Sequence, residues 1–90
     1  MTIAQQVTAA HQYAELWRAL MPDVDAPGED QFLLWSGLYT ESQVARGLSG
    51  AARKRRAVTR DGQSMTVDDL AAYASSIMKH EKQGVRRFNR

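Results

Sequence analysis

Apolar residues recur at Ile3, Val7, Ala10, Ala14, Trp17 and Met21, at steps of four, three, four, three and four. That rhythm draws one stripe along a helix, widened on a flank by Tyr13, Leu16 and Leu20. Thr2 offers a hydroxyl at the helix start, and Pro22, which has no amide and crowds the preceding turn, stops it. The pattern predicts a first helix over about 3–21. Residues 22–28, Pro-Asp-Val-Asp-Ala-Pro-Gly, are turn formers. A short second helix over about 28–37 follows, with Glu29 and Asp30 where the helix dipole favours anions and Gly37 at its end. Phe32, Leu33, Trp35 and Leu38 make it the densest apolar stretch.

Thr40-Glu41-Ser42-Gln43 reads as a capping box, opening a third helix over about 41–56 with Val44, Ala45, Leu48, Ala51 and Ala52 on its buried face. Gly47 and Gly50 each cost roughly 1 kcal/mol inside a helix. They imply either a break near Ser49-Gly50 or a close approach of another backbone. Arg60-Asp61-Gly62-Gln63-Ser64 reads as a turn. Thr66 with Asp69 then caps a fourth helix over about 66–83, whose stripe is Val67, Leu70, Ala71, Ala74, Ile77 and Met78. Gly84 suits a left-handed C-cap with Val85 folding back, leaving a basic tail from about 84. No stretch alternates with period two long enough for a strand. The expectation is all-α: one domain, 1–90, a compact bundle of four helices with Trp17, Leu33 or Leu34, Trp35, Leu48, Leu70 and Ile77 in one core.

Composition narrows this picture. Thirteen of the apolar residues are alanine, so the core is thin for 90 residues. Cysteine is absent, which removes disulfide and thiolate chemistry and fits a reducing cytoplasm. No apolar run approaches the ~20 residues that cross a bilayer, and the N-terminus lacks a basic n-region, so no membrane partner is expected.

Charge changes it more. Residues 1–45 carry Arg18 against six acids, a net of −5, whereas residues 46–90 carry eleven cations against four acids, a net of +7. Such separation favours a polyanion or an acidic protein face. The second and third helices have the spacing of a helix-turn-helix, in which Glu41, Ser42, Gln43 and Arg46 would meet base edges. Arg53-Lys54-Arg55-Arg56 point all round a helix at ~100° per residue, so these four form no single stripe. Arg55 falls on the buried face, implying that the packed helix ends near it. In the tail, Arg86, Arg87 and Arg90 flank Phe88, a composition that can hold a backbone and stack a base.

Catalytic chemistry has little to build on. His11 and Glu15 stand four apart and His80 adjoins Glu81, but neither pair has a third ligand. There is no nucleophile elbow, and no glycine-rich phosphate loop after a strand. No enzyme, cofactor or metal is expected. The first reading is a small nucleic-acid-binding domain contacting duplex DNA through Gln43, Arg46, Arg53, Lys54, Arg55, Arg56, Arg60, Arg86 and Arg87. The alternative is a protein-interaction module that meets an acidic protein or forms a homodimer through the helix-one heptad.

Overall fold

The computed structural model describes the backbone of residues 2–88 and the side chains of residues 2–84. Four helices follow in chain order: α1 (Ile3–Leu20), α2 (Glu29–Leu38), α3 (Glu41–Arg60) and α4 (Val67–Phe88). The all-α bundle expected from the sequence is the fold. It is flattened, with extents of 40 × 35 × 17 Å. None of the described helices is long and apolar enough to cross a membrane.

Three helix starts are set by reciprocal capping. The Gln5, Gln43 and Asp69 amides donate to the hydroxyls of Thr2, Thr40 and Thr66. In return, the threonine amides donate to the side chains of Gln5, Gln43 and Asp69. Each exchange satisfies two donors that a helix start leaves without partners. Gly28, which has no side chain to offer, caps α2.

α1 packs on α2, and α3 packs on α4, with α1 also lying across α3. The core joins both pairs: Tyr13, Trp17, Met21, Phe32, Trp35, Val44, Leu48, Leu70 and Met78 are buried together with several alanines. Phe32 meets Trp17 edge-on at 6.3 Å and Trp35 at 5.6 Å, the geometry preferred by aromatic quadrupoles. The Trp35 indole donates to Ser75 Oγ at 2.8 Å, whereas the buried Trp17 Nε1 has no partner among the described residues. Of the predicted core, Trp17, Trp35, Leu48 and Leu70 are fully enclosed; Leu33 packs against it half-buried, Ile77 is half-buried, and Leu34 is 55% exposed. Much of the α1 stripe faces inward, through Ala10, Trp17 and Met21, leaving Ile3 80% exposed at its start.

Two boundaries differ from the sequence expectation. α3 does not end near Arg56: it runs to Arg60, because alanine and arginine propagate a helix well and nothing interrupts it before Gly62. Gly62 takes a left-handed conformation, φ +79°. There its amide donates to the Thr59 carbonyl at 3.0 Å and the Gln63 amide to the Val58 carbonyl at 3.1 Å. This is the paired closure that glycine makes easy at a helix end. α4 likewise continues through Gly84 to Phe88, so Gly84 is a helix-interior residue rather than a cap. A Cβ at that position would meet nothing within 4 Å, and no packing there forces the chain to turn.

Of the two meanings open to Gly47 and Gly50, close approach is the one observed. α3 is unbroken across them. A Cβ at Gly47 would stand 2.6 Å from Met78 Cγ and 2.7 Å from the Ala74 carbonyl oxygen, and one at Gly50 would collide with Ile77 Cδ1. The missing side chains let α3 and α4 lie against each other, which fixes the outward face of α3.

Candidate nucleic-acid interface

The longer α3 changes how its cations combine. Arg46, Ser49, Arg53, Arg56 and Arg60 follow one another at steps of three, four, three and four. On a helix of 100° per residue they share an arc of about 80°, away from Val44, Leu48 and Ala51 on the buried face. From Arg46 to Arg60 the stripe runs about 21 Å at 1.5 Å per residue. A stripe therefore exists, although not among the four consecutive cations: it takes Arg53 and Arg56 from that run and adds Arg46 and Arg60.

Three cations outside the stripe, Lys54, Arg55 and Lys82, are engaged within the protein. Lys54 lies over the Tyr73 ring at 5.9 Å, on the side facing α4. Arg55 leaves α3 on the side of its buried face and pairs with the Asp23 carboxylate at the edge of the cleft it shares with Arg53, Arg56 and Arg60. Its side chain is only 22% exposed, so it is a half-buried bridge to the α1–α2 loop and does not end the helix. Lys82 donates to the Leu38 carbonyl at 2.9 Å and sits 5.5 Å from the Tyr39 ring, placing a cation at the negative end of α2. Arg46 Nη1 meets Glu81 Oε2 at 3.0 Å, with the arginine side chain 62% exposed. An exposed pair of this kind is weak, and its arginine can exchange partners. Among the described residues no carboxylate lies within ion-pair distance of Arg53, Arg56 or Arg60.

Two depressions border the stripe. The larger, about 610 Å³, is lined by Arg53, Arg55, Arg56, Thr59, Arg60 and Asp23. The other, about 310 Å³, lies between α3 and α4 and is lined by Arg46, Ser49, Arg53, Ile77 and Glu81 together with Ala45. Arg53 belongs to both, so the basic surface is continuous. Ser49, Thr59 and Asp23 were not among the residues expected from the sequence. Thr59 becomes visible once α3 is extended past Arg56, Ser49 lies on the stripe within the expected helix, and Asp23 reaches the site only through the folded α1–α2 loop.

Of the residues expected to read bases, Gln43 and Arg46 are engaged within the protein. The Gln43 side chain turns back to accept from the Thr40 amide at 2.9 Å. α2 and α3 share little contact, and Tyr39-Thr40 joins them where a helix-turn-helix uses a turn of three or four residues. That motif is not supported. Arg86, Arg87 and Phe88 lie outside the described side chains, and Arg90 outside the described residues. His11 Nε2 stands 4.0 Å from Glu29 and makes no ion pair with Glu15, and among the described residues no three His, Asp or Glu side chains cluster to hold a metal. No protein-family model, curated protein or solved structure matches this chain.

Proposed function

We propose that this domain binds duplex DNA through its phosphates, with the outward face of α3 as the contact surface. The supporting observation is the alignment of Arg46, Arg53, Arg56 and Arg60 on one exposed arc beside clefts that carry hydroxyls at Ser49 and Thr59. Arginine presents a planar fork of donors matched to phosphate oxygens, and serine and threonine hydroxyls are common phosphate donors. Duplex DNA carries one phosphate per ~3.4 Å of each strand, so a stripe of about 21 Å is commensurate with some six base pairs.

Contacts of this kind position a protein without reading sequence. With Gln43 turned into its cap and Arg46 shared with Glu81, affinity should differ little between duplexes of different sequence. The alternative of a dimer through helix one gains no support, because Ala10, Tyr13 and Trp17 of α1, with Met21 at its end, lie inside the domain. Fluorescence anisotropy of the full chain at low salt tests the reading, using two random duplexes and polyglutamate as an acidic-protein surrogate. Equal binding to both duplexes, tighter than to polyglutamate, is expected. Preference for polyglutamate, or no duplex binding at micromolar protein, refutes it.

A further inference from the structure

Asp23 is the one acidic side chain in the larger cleft, where four arginines and a threonine surround it. Its position is set by the chain rather than by chance. Met21 is fully buried, Pro22 follows it, and the Val24 amide donates to the Met21 carbonyl at 3.1 Å. This closes a turn with proline at its second position, the place where its fixed φ is favourable, and Asp23 at its third. The turn presents the Asp23 carboxylate to Arg55 while leaving the Asp23 side chain 64% exposed. An anion is thus held at the rim of a cleft whose other charged groups are all cationic, by a contact that water can reach.

We propose that this cleft is a phosphate subsite whose place is held in the free protein by the Asp23 carboxylate. The inference rests on the DNA-phosphate reading above and specifies how that surface is regulated. A phosphate group entering between Arg53, Arg56 and Thr59 takes over Arg55, and Asp23 swings into solvent. Both ions involved are the same in kind: a two-oxygen carboxylate matches the guanidinium fork as a phosphate does, with less charge. The Asp23–Arg55 pair is therefore a built-in competitor, and it lowers affinity for the polyanion while filling the subsite in its absence. A purely structural clamp would behave oppositely, because cutting it would loosen the α1–α2 loop and spoil the site.

The sign of one substitution separates the two. Asp23→Asn keeps the side-chain volume and removes the competing charge; Asp25→Asn makes the same charge change in the same loop outside the cleft. Anisotropy with a random duplex should give about two- to ten-fold tighter binding for Asp23→Asn, with a salt dependence steeper by about one phosphate contact. Asp25→Asn should stay near wild type. A second measurement does not depend on DNA: the Arg55 Nε–Hε resonance of the wild-type chain is followed by NMR as inorganic pyrophosphate is added. It should shift, and in Asp23→Asn it should shift at lower pyrophosphate. Unchanged or weaker duplex binding by Asp23→Asn, or an equal effect of Asp25→Asn, overturns the proposal, as does an Arg55 resonance that ignores pyrophosphate. A wild-type chain that binds pyrophosphate at Arg55 but no duplex leaves the subsite standing and removes the DNA reading.

Discussion

The Trp35 indole Nε1 donates to Ser75 Oγ at 2.8 Å, tying the acidic half of the chain to the basic half across 40 residues. The bond satisfies the polar edge of a ring that is otherwise enclosed, and it joins α2 to α4. Ser75→Ala would leave that donor buried without a partner, which costs about 1–3 kcal/mol. Chemical denaturation should show the midpoint falling accordingly. A Trp35→Phe, Ser75→Ala double variant should lose less than the two single changes added together, because the pair is removed as a unit.

Thr40→Ala and Thr66→Ala should each lower stability by about 1 kcal/mol, the usual loss for a capping hydroxyl. Both boxes are complete, with the Gln43 and Asp69 amides donating to the threonines at 3.2 and 3.0 Å. Denaturation midpoints check this. Thr59→Ala, exposed on α3 with a hydroxyl that makes no capping bond, is the matched control.

Alanine substitution at glycine should have opposite signs at two positions. Gly84→Ala adds helix propensity where a Cβ meets nothing, and should stabilise by about 0.5–1 kcal/mol. Gly47→Ala places a Cβ 2.7 Å from the Ala74 carbonyl oxygen, so helices α3 and α4 must part. The expected loss is about 1–3 kcal/mol despite the better propensity. Thermal melts of the two variants should move in opposite directions.

Stability should fall at both ends of the pH scale, for different reasons. The hydrogen bond from Arg55 holds the Asp23 carboxyl below its ordinary value of 3.8. A lowered folded-state pKa contributes stability above the unfolded value, and that contribution disappears as pH falls from about 4 through the folded value. Asp23→Asn should remove this part of the acid limb. Burial, with Glu41 second, raises Tyr13 above 10.0. Its contribution is complete below pH 10 and is lost as pH rises through the folded value, and Tyr13→Phe should flatten that alkaline limb. Denaturation midpoints measured across pH test both.

The helices were legible because period and capping agreed: the α1 stripe around Trp17, and the threonine boxes at Thr40 and Thr66, each point to the same starts. The α3 terminus was harder to read. Arg55 on the apolar side of the helix resembles an end of packing unless its partner is known, and Asp23 lies 32 residues away. Misplacing that end put Arg60 in a turn and concealed the stripe it completes with Arg46, Arg53 and Arg56. Local spacing carried the fold; the site depended on contacts between halves of the chain, which no window of sequence contains.

Phosphate contact through the α3 stripe, as opposed to the whole basic run, sets a distinct expectation for the salt dependence of duplex binding. Each neutralised phosphate contributes about −0.9 to the slope of log K against log salt. Arg53, Arg56 and Arg60 together should therefore account for about −3. Replacing these three by alanine should remove most of the slope and weaken all duplexes alike, whereas Lys54→Ala, whose ammonium lies over Tyr73, should leave it nearly unchanged. Equal losses for Lys54→Ala and for each stripe arginine would contradict that expectation, showing that the run acts as undirected charge.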